Sequence, residues 1–104
     1  MEIKWTETAI NDIDNIRVYI KRDSTIYSEQ FIKKIFDSIE KLLFFPKMGR
    51  QVKEANNENI RELIFQNYRI IYLINRKYSQ INIISIFHCG RDMTKISKHP
   101  WEII

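Results

Sequence analysis

The sequence predicts a two-layer α+β domain. An N-terminal strand and an antiparallel helical hairpin pack on one face of an antiparallel sheet, in the order β-α-α-β-β-β. Three observations lead there. Apolar residues recur at spacings of three and four through the first 45 residues, and three runs rich in Ile, Tyr and Phe follow from Ile60. Short polar breaks separate those runs, as hairpin turns do. Two amphipathic helices cannot bury their stripes on each other alone, so both lie on the sheet and leave its opposite face open. With 104 residues, 44% of them hydrophobic, the chain forms one domain, 1–104, with a single core.

Met1 to Trp5 reads as a short strand, and Thr6 caps a helix running to about Arg22. Ala9, Ile13, Ile16 and Ile20 line one face of that helix; Glu7, Asp12 and Asp14 precede Lys21 and Arg22 in the order the helix dipole favours. Asp23 and Ser24 signal a second helix, predicted to run to about Phe45. Its stripe is Phe31, Ile32, Ile35, Phe36, Ile39, Leu42 and Leu43, with Glu29–Lys33 and Asp37–Lys41 as acid-first pairs four apart. Pro46 stops it. Lys53 to Asn59 is polar and reads as an exposed, mobile loop. Ile60 to Phe65, Tyr68 to Ile74 and Ile81 to His88 then form an antiparallel meander, its middle strand apolar on both faces and therefore central. Cys89 to Ile104 reads as a short helix or a tail.

The charge of +4 is unevenly placed. Residues 1–46 carry 7 Lys/Arg against 8 Asp/Glu, whereas residues 47–104 carry 10 against 5, so the sheet-forming half holds +5. That surplus suits phosphate or an acidic partner, and suits a solvated face equally well. The single Cys89 cannot close an intrachain disulfide, which excludes a secreted disulfide scaffold and predicts a reducing, cytoplasmic setting. No basic-then-apolar leader opens the chain, and the densest apolar stretch, Ile70 to Ile74, falls far short of the ~20 residues of a spanning helix, so no membrane is expected. Two glycines leave no Gly-rich phosphate loop and no nucleophile elbow. His88, Cys89, Asp92 and His99 are metal-ligand types without zinc-site spacing, so neither a metal nor a cofactor is expected.

The candidate chemistry lies in Arg61, Arg69, His88 and Arg91. Arg61 and Arg69 open successive meander strands and His88 and Arg91 close the last, so antiparallel pairing brings Arg69 toward the His88–Arg91 segment. Arginine holds phosphate oxygens bidentately, and histidine titrates nearest neutrality. Attack of a 2′-OH on its adjacent phosphate needs positive charge at phosphorus, a base and an acid. Arg69 and Arg91 would supply the charge, and His88 or His99 the proton transfers. The plainer fates stand beside this: Arg69 paired with Glu62 across the hairpin, Arg91 paired with Asp92, His88 as a satisfied half-buried histidine, and Tyr68, Tyr72 and Phe87 as core packing.

Over nearly its whole length the chain resembles the RelE/ParE family of toxins from type II toxin-antitoxin modules. The resemblance is carried by Trp5, Ala9 and Ile13, by Phe45-Pro46-Lys47-Met48-Gly49-Arg50, by Ile60-Arg61-Glu62-Leu63, by Asn67-Tyr68-Arg69-Ile70-Ile71-Tyr72, and by Ile86-Phe87-His88-Cys89-Gly90-Arg91-Asp92. It implies the same fold, and a growth-inhibiting toxin restrained by a cognate antitoxin, with operator DNA contacted only through that antitoxin. RelE-like members cleave mRNA on the ribosome without a metal; ParE-like members inhibit DNA gyrase. On the first branch Arg69 and Arg91 match catalytic arginines; His88 or His99 is the substitute available for proton transfer, and Arg61, Lys95 and His99 are the expected RNA contacts. The paired lysines that some nucleases carry before the arginine-bearing strand are missing, with only Arg61 close to their place; no tyrosine follows Arg91, and the Pro-x-Met-Gly segment is closer to the ParE branch. The sequence reading favours ribosome-dependent mRNA cleavage, with gyrase inhibition as its alternative and a non-catalytic antitoxin-binding module as a third.

Overall fold

The computed structural model describes residues 1–89 and 101. Its elements are β1 (Glu2–Trp5), α1 (Glu7–Lys21), α2 (Thr25–Glu40), a 3-10 turn (Lys41–Leu43), β2 (Arg50–Gln51), a second 3-10 turn (Lys53–Ala55), β3 (Ile60–Phe65), β4 (Tyr68–Asn75) and β5 (Gln80–His88).

Both helices start where their caps dictate. The Thr6 hydroxyl accepts from the Ala9 amide at 3.1 Å and donates to the Ile84 carbonyl at 2.8 Å, so one side chain begins α1 and ties it to β5. Ser24 accepts from the Tyr27 amide at 3.1 Å to begin α2. Where the helices cross, a fully buried Ser28 keeps them close and donates to the Arg17 carbonyl at 2.9 Å. The apolar helical run past Glu40 tightens into the 3-10 turn. A residue preceding proline is driven out of the α region, so the helix cannot reach Phe45. Phe44 and Phe45 are consequently 79% and 65% exposed. On the outer face of α2, Lys33 pairs forward with Asp37 at 3.0 Å, in place of the acid-first pairs.

The sheet order is β1-β5-β4-β3-β2. The meander β3-β4-β5 is antiparallel, as is β2 on β3, while β1 lies parallel to β5 at one edge. That parallel edge follows from the crossover through the helical hairpin, which carries the chain from β1 across the sheet before the meander returns. A bulge interrupts β4 and β5: Ile71 faces Ser85 but Tyr72 faces Ile83, leaving Ile84 extra. Asp12 of α1 satisfies the groups the bulge exposes, accepting from the Ser85 hydroxyl at 2.7 Å and the Ile86 amide at 2.9 Å.

Residues alternate across this sheet and define two faces. Ile70, Tyr72, Ile74, Ile81, Ile83 and Ile86 meet the buried stripes of α1 and α2 in the main core, where each fully buried isoleucine contributes about 1.5–3 kcal/mol. The opposite face is not left open as the sequence predicts. Ile60, Ile71, Ile84 and Phe87 form a second, smaller core there, covered by Val52 and by Trp101. The Lys53–Ala55 turn is what lays Val52 over the sheet. Asn56 closes the turn in the left-handed region (φ 50°), and Asn57 accepts from the Asn59 amide at 2.9 Å, so the polar segment has defined local structure.

Candidate functional site

The register decides which candidate residues meet. Arg69 is opposite Ile64 on β3 and Phe87 on β5, while Tyr68 is opposite His88. Arg69 and His88 are thus diagonal neighbours whose side chains leave by opposite faces of the sheet. Arg61 is opposite Tyr72, on the helix-covered face. The described residues do not gather Arg61, Arg69 and His88 into one patch, because strand ends that come together still alternate sides. Arg91, Lys95 and His99 lie outside the described residues.

On the face away from the helices, Arg69 is held in a clamp. The Glu62 carboxylate is 4% exposed. Its Oε2 accepts from Arg69 Nε at 2.8 Å and from Arg69 Nη2, and its Oε1 accepts from Arg50 Nε at 2.5 Å. The Arg69 guanidinium carbon also lies 5.5 Å from the centroid of the Phe87 ring, and its side chain is 16% exposed. A buried carboxylate must be paired, and here two arginines from different strands pair with it. Arg50, on the two-residue β2, was not singled out as a site residue in the sequence. Its signal was its position directly after Gly49, and that becomes informative only once β2 is in register with Glu62. The clamp borders a cavity of about 450 Å³ that Lys53, Glu54 and Cys89 also line.

Arg61 serves a different purpose. Its Nη1 donates to the Gly49 carbonyl at 2.9 Å. Tyr72, across the same pair of strands, donates to the Pro46 carbonyl at 2.7 Å and accepts from the Gly49 amide at 2.9 Å. These bonds staple the Pro46–Arg50 segment onto the sheet. Glycine is required there by close approach, since a Cβ at position 49 would stand 2.5 Å from the Glu62 carbonyl and 2.7 Å from the Tyr72 hydroxyl. Burial pushes the Tyr72 phenol above its ordinary value of 10.0, against the opposing pull of the Gly49 amide and Arg61. The Pro-x-Met-Gly segment and the Asn67-Tyr68-Arg69-Ile70-Ile71-Tyr72 segment are therefore joined through Tyr72.

His88 is solvent-exposed on the helix side, its ring 5.6 Å from that of Tyr68 and edge-on to it. Tyr72 and Phe87 are core residues, as their plainer reading holds. Among the described residues no group of three His, Cys, Asp or Glu side chains is placed to hold a metal ion. No helix among them is long and apolar enough to cross a membrane.

A helical hairpin on one face of a five-stranded sheet defines a class of small α+β proteins with solved examples. The ParDE toxin-antitoxin system of Pseudomonas aeruginosa contains a chain that superimposes with a TM-score of 0.68 at 19% identity, covering 85% of this chain and 95% of that one. The isolated Escherichia coli RelE toxin follows at 0.63 and 13% identity, covering 88% and 87%. These likenesses establish the fold. In sequence, a candidate toxin of Sinorhizobium fredii, Y4kP, is 25% identical over 96 residues, spanning 90% of this chain and 94% of the relative. The family model for the ParE toxin of the type II toxin-antitoxin system parDE matches residues 3–93, and the chain belongs to that family.

Proposed function

We propose that the protein is the toxin half of a type II module and inhibits growth by binding its target, in the manner of ParE and with DNA gyrase as that target, without cleaving RNA. One observation carries this reading: Arg69, the residue on which phosphate-directed chemistry would turn, is engaged by buried Glu62 and stacked on Phe87, on the face away from His88. A cation neutralised by a buried carboxylate has little field left for a developing phosphorane, and the base meant to act beside it is across the sheet.

The surface supports binding as well. Phe44, Phe45 and Met48 are exposed beside Lys47 and Arg50, an apolar strip edged by cations of the kind that docks onto acidic protein surfaces. The same strip suits a cognate antitoxin, and its occupation by that antitoxin would explain restraint of the toxin. The P. aeruginosa and E. coli systems that share the fold are described as toxin-antitoxin pairs.

The test compares two reconstituted reactions with purified protein. Inhibition of gyrase supercoiling at near-stoichiometric toxin, with messenger RNA intact in a ribosome-programmed translation mixture, is the expected outcome. Transcripts cut within codons while supercoiling proceeds would overturn the reading and restore Arg69, His88 and Arg91 as the catalytic set, with Arg61, Lys95 and His99 as RNA contacts. In the binding reading Phe44→Ser with Phe45→Ser abolishes inhibition of gyrase, and His88→Ala leaves it unchanged.

A further inference from the structure

The turn joining α1 to α2 overhangs the β3–β4 turn and the end of β5, and between them lies a cavity of about 660 Å³. Its walls are aromatic. Tyr27 and Phe31 of α2, Tyr68 of β4 and His88 of β5 follow one another with ring centroids 6.1, 5.7 and 5.6 Å apart, and Tyr19 of α1 forms a further wall. Tyr19 and Tyr27 are 64% and 51% exposed, so the main core does not account for them.

The described lining of this cavity holds one carboxylate and one imidazole but no lysine or arginine, while Arg22, which is not among the lining residues, lies over the Tyr19 ring. Among the described residues that line it, Asp23 carries the single formal charge, and no described cation pairs with that carboxylate. Aromatic faces present negative π density, and a carboxylate beside them adds to it. Tyr19 already takes a guanidinium on its face, that of Arg22, 5.9 Å from the ring centroid. Burial, reinforced by the neighbouring Tyr19, raises the Tyr68 phenol above its ordinary value, so that ring stays neutral at working pH. A phosphate-bearing ligand would meet no lysine or arginine among the described lining residues and one carboxylate.

We propose that this aromatic cavity binds a cationic side chain, the guanidinium of arginine or the ammonium of lysine, presented by a protein partner, with Asp23 as its counter-charge. The proposal is independent of the target assigned above, and it makes the helical end of a basic protein the acceptor of positive charge.

The test is two-dimensional NMR of the full chain titrated with a blocked Gly-Arg-Gly peptide. Controls are the same peptide carrying neutral citrulline, then spermidine, then AMP. The arginine peptide should shift the ring resonances of Tyr19, Tyr27 and Tyr68 saturably, and the citrulline peptide should bind at least about fivefold more weakly. Asp23→Asn and Tyr19→Leu, both at exposed positions, should each weaken the arginine peptide by about three- to tenfold while the remaining spectrum confirms the fold. Absence of saturable shifts, or equal binding of citrulline, overturns the proposal. Preferential binding of AMP would make the site a nucleobase platform, and preferential binding of spermidine would remove the protein source; either result overturns it too.

Discussion

The two faces of the sheet are built from the same strands by different physics. On the helix-covered face, Ile70, Tyr72, Ile74, Ile81, Ile83 and Ile86 meet two long apolar stripes, and burial does most to hold the layers together, with Thr6 and Asp12 adding hydrogen bonds from α1 to β5. On the other face the cover is thin, the second core has Val52 and Trp101 above it, and beside that core a buried carboxylate joins β2, β3 and β4 through two arginines. Non-directional burial tolerates substitution of one aliphatic group by another. A buried ion pair does not, because removing one partner leaves an uncompensated charge. The residue most suggestive of catalysis, Arg69, lies on the face where such a structural role is most demanding.

The largest expected effect follows from that contrast. Glu62→Ala should cost about 3–5 kcal/mol in urea unfolding, as much as emptying a main-core position such as Ile35. The double variant Glu62→Leu with Arg69→Leu should recover most of the loss, since two apolar groups leave no buried charge. A cost below about 1 kcal/mol for Glu62→Ala would mean the clamp does not hold the thin face. Gly49→Ala comes next, at about 1–3 kcal/mol, because the added methyl group drives against the Glu62 carbonyl and the Tyr72 hydroxyl that set the joint between the faces.

How far the two faces could be read beforehand differs in the same way. The helix-covered face was legible, since Ala9, Ile13, Ile16 and Ile20 announce themselves by their period and Thr6 and Ser24 by their capping chemistry. α2 ends at Glu40, short of Phe45, because Pro46 forbids the helical backbone even though Leu42 to Phe45 keep the apolar pattern. The thin face was nearly illegible. β2 has two residues and no pattern, and β1 pairs with a strand about 80 positions away. At the site, the Arg69–Glu62 pair was readable as a cross-hairpin ion pair, whereas grouping Arg69 with His88 failed on a single residue of register. Proximity of strand ends is visible in a sequence; which face a side chain leaves by depends on the exact pairing.

A smaller effect tests the joint through pH. Tyr72→Phe leaves the buried Gly49 amide without its acceptor and should cost about 1–3 kcal/mol at pH 7. Its phenol has a folded value raised above 10.0, as does that of Tyr68. The folded state therefore holds more protons than the unfolded chain above pH 10, and stability, complete below that point, declines as pH rises through the folded value. Urea midpoints at pH 9 and pH 11 should fall for the native sequence and fall less for Tyr72→Phe. Equal declines would place the titration elsewhere.

The smallest effect compares two arginines on one carboxylate. Arg50 and Arg69 both donate to Glu62, yet the Arg50 side chain is 72% exposed and that of Arg69 is 16% exposed. Solvent screens the first and not the second, so Arg50→Ala should cost no more than about 1 kcal/mol and lose that cost in high salt. Arg69→Ala, which strands the carboxylate on its buried side, should cost several times as much at any ionic strength. If the two variants unfold at the same urea concentration, Glu62 is held mainly from the edge strand, and Arg69 becomes free for the phosphate chemistry that its position in the sequence suggested.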